Sequence, residues 1–307
     1  MFFNKNRIKN QIQNQIQNQR ENQIQNQIKF KRLLFLQKHK QFMENTGKKI
    51  FGNFINIPWC PTTSETNKNT ILLIEPRITD DIVFILNNAY KKLGNNNWAY
   101  VFYCGKNSKP YWENRLASFI EIRELDVSDF GNTYNYSDFC KKKELWESLY
   151  GEFVLTIQVD TWIMNKNPFT IDFFMKSNKS FIGGNMNYEW DELKRDSIHP
   201  IIKNFNGGLS LRKRVDMINI TKSFPPLKSN GNKTCFQSDQ EDVYFVCGCY
   251  KLGYKVGDDE PSSHFSLHTI YKNDYFGIHQ PNENVRKNLN IAAPFLKYMN
   301  RHLRLQN

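Results

Sequence analysis

The stretch FVLTIQVDTWI, residues 153–163, decides how the rest of the chain is read. Phe153, Val154, Leu155, Ile157 and Val159 form an apolar run of strand length, the composition of a strand covered on both faces. The run ends on a carboxylate, Asp160, followed by Thr161 and Trp162. Burying an ionised Asp is costly unless something compensates its charge. Two readings stay open from the residues: Asp160 caps the turn that closes the strand, or it points into a site and holds a cation.

Upstream of this strand the pattern alternates. TILLIEP (70–76) reads as a buried strand. DDIVFILNNAYKKLG (80–94) reads as a helix starting at Asp80 and stopping at Gly94, with Val83, Leu86, Ala89/Tyr90 and Leu93 as its apolar face. WAYVFYCG (98–105) is a second strand, YWENRLASF (111–119) a short helix and IEIREL (120–125) a third strand. SDFCKKKELWESLYG (137–151) is a helix with Ser137 as its cap, and EFVLTIQVD is the fourth strand. Strand–helix alternation with continuously apolar strands implies a mostly parallel sheet with helices on both faces. In such sheets ligands bind at the carboxyl ends of the strands. Asp160 falls at such an end, and so do Glu75 and Arg77.

Downstream the spacing loosens. SFIGGN (180–185) and NFNGGLSLRK (204–213) read as short strands beside Gly pairs, and KRVDMINITKSF (213–224) as a helix. SDQEDVYFVCGCYKLGYKV (238–256) opens on acids, runs as a helix and ends at Gly253. FSLHTIY and YFGIHQP read as late strands or loops, and residues 283–303 as a closing helical tail interrupted by Pro294.

The net charge of +12 is uneven. Residues 1–50 carry eleven Lys/Arg against two Asp/Glu, and the remainder carries 31 against 28. The body is nearly neutral, which argues against a specific nucleic-acid surface. Residues 1–56 form a low-complexity basic arm, with Ile8, Ile12, Ile16, Ile24 and Ile28 spaced by four or eight. A four-residue step drifts about 40° per repeat around a helix, so the stripe forms no lasting seam. The arm reads as disordered or loosely helical, able to self-associate or touch an anionic surface. Residues 57–69 read as a linker and 70–307 as the domain. The six cysteines lack zinc-type CxxC spacing and read as reduced packing residues. With no signal-peptide pattern and no membrane-span run, the expectation is a soluble, cytoplasmic protein of the producing or host cell.

Polar residues gather at predicted strand ends and helix starts: Glu75 and Arg77, Asp160, Asn206-Gly207-Gly208, Glu241-Asp242, and His279. Each has a plain structural alternative. Asp160 and Asn206 can be turn residues, and Glu75 can pair with Arg77. Glu241 and Asp242 can oppose the helix dipole, and His279, like His264 and His268, can be an ordinary packed imidazole. As a set they match the needs of a diphosphate-activated donor. A hard divalent cation held by a carboxylate meets the charge growing on the leaving group, His can complete a Mn²⁺ shell, a Gly-Gly turn admits the ligand to the backbone, and a carboxylate can take the acceptor's proton.

IEPR, LTIQVDTWI, NFNGGLSLRKR, QEDVYF and YFGIHQP, in that order, resemble a glycosyltransferase-like domain family of unknown function (family 5672), itself similar to enzymes of the glycosyltransferase-A fold. The resemblance spans roughly residues 70–282. It implies a glycosyltransferase-A-like mixed sheet and transfer of a sugar from a nucleotide diphosphate sugar to a hydroxyl of a glycan, protein or lipid acceptor. It implies Asp160 and His279 on Mn²⁺ or Mg²⁺, and Glu75 and Arg77 in the nucleotide pocket. It further implies Asn206, Gly207 and Gly208 at the donor sugar, and Asp242 as base with Glu241 as the alternative. The related enzymes carry an Asp-X-Asp metal motif; here position 162 is Trp and only Asp160 remains. The Asp242 segment resembles inverting enzymes and the late His retaining ones. The rival readings are a non-catalytic glycan- or nucleotide-binding module of the same fold, and an assembly protein worked by the arm.

Deleting residues 1–45 is expected to leave the body's melting temperature within about two degrees, because the repeat offers no lasting apolar face. A fall of about ten degrees, read by calorimetry, would show that the arm packs as structure.

Overall fold

The computed structural model describes residues 68–187, 203–226 and 235–289, all within one compact unit, Asn53–Leu296. The basic arm, nearly all of the linker and the expected closing tail from residue 290 on lie outside the described residues. In chain order the elements are β1 (Asn69–Glu75), α1 (Asp81–Leu93), β2 (Trp98–Cys104), α2 (Lys109–Glu113), β3 (Ile120–Glu124), α3 (Thr133–Cys140), α4 (Lys143–Glu147), β4 (Phe153–Ile157) and β5 (Thr161–Ile163). They continue with α5 (Ile171–Lys176), β6 (Phe181–Asn185), β7 (Asn204–Lys213), α6 (Arg214–Ser223), α7 (Glu241–Lys251), β8 (Ser266–Leu267), β9 (Gly277–His279) and α8 (Glu283–Asn288).

All nine strands join one sheet in the order β3-β2-β1-β4-β7-β6-β8-β9-β5. The first four are mutually parallel, as their apolar composition predicts. β7 then runs antiparallel to both β4 and β6, so the sheet is mixed. The α/β class expected from the sequence is the one observed.

The strand side chains divide between two faces. Leu72, Ile74, Val101 and Val154 point into a core shared with α3, α4, α6 and α7. The residues that alternate with them point the other way, where Phe102 meets Trp112 of α2 edge-on, with ring centroids 5.6 Å apart, and α1 buries Ile82, Ile85 and Ala89. Helices thus cover both faces.

Several local expectations differ from the structure. The buried face of α1 contains Ile82, Phe84 and Ile85, while Val83 is half-buried. The helix also packs on β5 at the end of the sheet, so its buried stripe is wider than one heptad row. Asn88 makes that contact: its amide donates to the Ile163 carbonyl (3.0 Å) and accepts from the Ile163 N–H (2.7 Å). Ser137 is not a cap. Asn132 is, its side chain accepting from the Asn135 N–H, and the expected single helix is two, α3 and α4. β7 is a ten-residue strand rather than a short one. Cys104, Cys140, Cys247 and Cys249 are free thiols and buried.

A single side chain ties the far half of the sheet together. Asn185, fully buried at the end of β6, donates to the carbonyls of Ser263 and Ile270. Its Oδ1 accepts from the N–H groups of His268, Thr269 and Ile270. This amide reinforces the short pairings of β8 with β6 and β9.

Candidate functional site

The register of the sheet brings the candidate residues to one edge. Ile157, the last residue of β4, pairs with Leu209, so Asn206, Gly207 and Gly208 lie beyond the carboxyl end of β4. The chain after β4 turns, with the Thr161 N–H donating to the Gln158 carbonyl. It then enters β5, which pairs antiparallel with β9 so that Thr161 faces His279. Asp160 stands in that turn, and its carboxylate does not close it.

His279 is the hub of the first cluster and is buried. Its Nδ1 lies 2.6 Å from Asn206 Oδ1, and its Nε2 lies 3.1 Å from Gln158 Oε1 and 3.3 Å from Asp160 Oδ1. Gln280 Nε2 donates to the other carboxylate oxygen of Asp160, at 2.5 Å. Burial pushes the Asp160 carboxyl up, but His279 and the Gln280 amide outweigh it and hold the group below its ordinary value. The side chain as a whole is 27% exposed, yet its Oδ1 is buried and accepts no hydrogen bond. Behind the cluster, burial and then His279 push the His268 imidazole down to about 4. That ring is neutral, and its Nδ1–H donates to the His279 carbonyl at 3.0 Å.

The second cluster lies behind the Gly pair. Arg212 of β7 and Glu241, the first residue of α7, form a bidentate ion pair at 2.6 and 2.9 Å with both side chains buried. Burial opposes the guanidinium charge, and Glu241 more than offsets it. Asp242 accepts from the Gly207 N–H (3.1 Å) and the Val243 N–H (2.8 Å). Burial, then the Glu241 carboxylate, push the Asp242 carboxyl up to about 7.

The two glycines are not a turn that leaves room for a ligand. They lie within β7, and protein groups fill the space a side chain would take. A Cβ on Gly207 would sit 2.2 Å from Glu241 Oε1, and one on Gly208 would sit 2.1 Å from His279 Nε2. Each glycine therefore lets one cluster close against the strand. Glu75 and Arg77 form the third group. The Arg77 Nε and Nη2 donate to the two Glu75 oxygens at 2.8 and 2.7 Å. Glu75 is buried, while the Arg77 side chain is 59% exposed, and Asp160 is among the carboxylates whose charge it feels. His264 stands apart, stacked on Phe169 at 4.1 Å between ring centroids.

Asp160 Oδ1 and His279 Nε2 have the spacing of neighbouring ligands on one ion, since two bonds of about 2.1 Å at a right angle end about 3 Å apart. Asp160 Oδ1 also has an unused lone pair. The pair fits two corners of a divalent cation's shell. No group of three His, Cys, Asp or Glu among the described residues could hold a metal, so the other corners would fall to ligand oxygens and water. Position 162 cannot contribute, because the Trp162 ring packs on Phe84 of α1, centroids 5.1 Å apart.

A family described as "Protein of unknown function (DUF5672)" matches residues 119–281, more than half of the chain. The chain belongs to DUF5672. The DUF5672 match takes in both clusters around β7 and leaves Glu75 and Arg77 outside it. No curated protein matches the chain. Among solved structures, residues 1–349 of S. aureus TarS resemble it with a TM-score of 0.41 at 11% identity, over 69% of this chain. This chain spans 60% of that one, and a likeness of that size carries no argument about function.

Sequence reasoning missed Gln158, Arg212 and Gln280, and read His268 as an ordinary packed imidazole. Arg212 is hidden in a basic run, LRKR, and strand alternation puts it on the face opposite Leu209 and Leu211, so its burial has no signal in the sequence. Gln280 has a signal visible only in the backbone: its φ of +37° lies in the left-handed region, which costs a non-glycine residue about 1–2 kcal/mol.

Glu241→Gln is expected to destabilise the fold by about 3–5 kcal/mol in urea unfolding, because it leaves the Arg212 cation buried and uncompensated. Replacing both partners with Met should recover much of the loss; an equal or larger loss in the double variant would refute this account. Asp242 makes a pH prediction. Its folded pKa is raised, so its stabilising contribution is complete below the unfolded carboxyl range, near pH 4, and is lost as pH rises through about 7. The melting temperature of Asp242→Asn minus that of wild type should grow between pH 5 and pH 8. A flat difference would mean the Asp242 carboxyl is not strained by its burial.

Proposed function

We propose that the chain is a glycosyltransferase that moves a sugar from a nucleoside diphosphate sugar to a hydroxyl acceptor at the carboxyl edge of β1 and β4. The observation that carries this reading is the buried, unbonded Asp160 Oδ1 at 3.3 Å from His279 Nε2. The His279 ring beside this oxygen offsets part of the cost of burying its charge, and a cation shared with the diphosphate would complete its surroundings. Asp160 and His279 would hold Mn²⁺ or Mg²⁺, which when bound neutralises charge growing on the leaving diphosphate.

The remaining roles follow from placement. Glu75 fixes Arg77 in one orientation at the same edge, where its exposed guanidinium can meet a phosphate in the bidentate geometry that arginine favours. Asn206 orients the His279 ring through Nδ1, as outer-shell partners of metal-ligating histidines do. Asp242 is the candidate base, since a carboxyl raised to about 7 is suited to taking a hydroxyl proton near neutral pH. Glu241 is the weaker alternative, because the buried Arg212 cation binds both of its oxygens, whereas those of Asp242 accept from the backbone N–H groups of Gly207 and Val243.

One observation favours a second reading, a module that binds the nucleotide sugar without turnover. The position of the second motif carboxylate is held by Trp162 against α1. Fold does not decide between the two.

A panel of nucleotide sugars with Mn²⁺ is expected to include one that raises the melting temperature, and EDTA should abolish the shift. At 100 times its dissociation constant such a donor adds about 2.7 kcal/mol. Asp160→Asn should weaken that binding at least tenfold, about 1.4 kcal/mol, with little change in folding. Donor hydrolysis or transfer above background, falling about 10²–10⁴-fold in Asp242→Asn, supports the enzyme. Binding with no turnover supports the module, and no metal-dependent binding at all refutes both.

A further inference from the structure

We propose that Gln280 is the positioning residue that aims Asp160 at His279, a role that rests on the cation site just proposed and adds a residue to it. The pairing of β5 with β9 sets Thr161 opposite His279, Trp162 opposite Ile278 and Ile163 opposite Gly277. The next rung of that ladder is Asp160 opposite Gln280, residues 120 apart in sequence that the register makes neighbours. Gln280 Nε2 donates to Asp160 Oδ2 at 2.5 Å, leaving Oδ1 to face His279 Nε2 at 3.3 Å with no hydrogen bond of its own. A carboxylate on a turn rotates freely unless one oxygen is tied. Here the tied oxygen is Oδ2, so the free one has a single direction.

The backbone supports the assignment. Gln280 holds φ +37°, a conformation that glycine adopts without strain. Non-glycine residues held in such regions cluster where the surrounding structure over-determines them, and functional sites are among those places. The residue before it is anchored as well, because the His268 Nδ1–H donates to the His279 carbonyl. Gly would satisfy the backbone at 280; the amide is what Gly lacks. On the proposed reading, Gln280 is therefore a requirement for one carboxylate orientation rather than for the fold.

The test uses the full chain and two substitutions, Gln280→Gly and Gln280→Ala. Gln280→Gly should melt at or slightly above the wild-type temperature, since it relieves the backbone. Affinity for Mn²⁺ itself, read from the electron paramagnetic resonance of the free ion, should fall at least threefold in both. With ¹⁵N-labelled histidine and no ligand, the His279 Nε2 resonance should move in both variants, because Asp160 is no longer aimed at it. The two readouts separate two failures. If wild type binds no Mn²⁺ but the resonance moves, the cation reading fails and the positioning of Asp160 stands. If the resonance and the Mn²⁺ affinity match wild type in both variants, Gln280 does not position Asp160 and the inference is overturned. A large loss of melting temperature in Gln280→Gly overturns it too, because the side chain would then be structural.

Discussion

The buried pair of Arg212 and Glu241 is the contact on which the candidate site depends. Arg212 sits where the parallel half of the sheet meets the antiparallel half, opposite Val154 on one side and Phe181 on the other. Its guanidinium lies 4.5 Å over the Phe181 ring and 5.5 Å from Trp146 and Phe245, so aromatic faces replace much of the water it has lost. Glu241 meets it from the first turn of α7, and that fixes where α7 begins relative to β7. Asp242 follows directly and takes the Gly207 N–H. The Gly207 carbonyl faces Arg212 and accepts from the Ser210 hydroxyl. One strand residue thus sets the helix, the second carboxylate and the backbone of the Gly pair.

Much of this was legible in the sequence and some was not, for reasons that follow from range. β1 to β4 carry continuous apolar runs, and the helices between them are local, so their order and parallel pairing could be read from residues close together. The length of β7 was lost because Gly207 and Gly208 look like a turn. They are instead the two places where a strand needs no side chains, since Glu241 and His279 occupy that space. β8 and β9 have two and three residues, too short for any periodic signal. They exist because Asn185 and the β5–β9 register hold them, contacts that span from 78 to 118 residues of sequence.

The candidate residues divide in the same way. That Glu75, Asp160, Asn206 and His279 gather at one sheet edge could be expected, because each sits at a predicted strand end. What each one touches could not. Glu75 binds Arg77, Asn206 binds His279, and Glu241, which sequence alone treats as a first-turn acid one residue from the candidate base, is the partner of a buried arginine. Spacing on a helix says that Glu241 and Asp242 diverge by about 100°. It does not say that both directions lead into the protein.

The lone Asp160 is then understandable in terms of competing demands on a three-residue strand. β5 must hold the sheet edge to α1, and it does so through Trp162 on Phe84 and through Asn88 on Ile163. A second carboxylate at 162 would give up that aromatic contact and place a charge against an apolar helix, at the cost of desolvation. The edge therefore keeps one carboxylate, and its second anionic neighbour is replaced by an imidazole reached from the opposite strand. On the proposed reading, a cation here is met by one negative protein charge rather than two. Its affinity then depends more on the diphosphate that arrives with it, and metal and donor should bind as a pair more tightly than either binds alone.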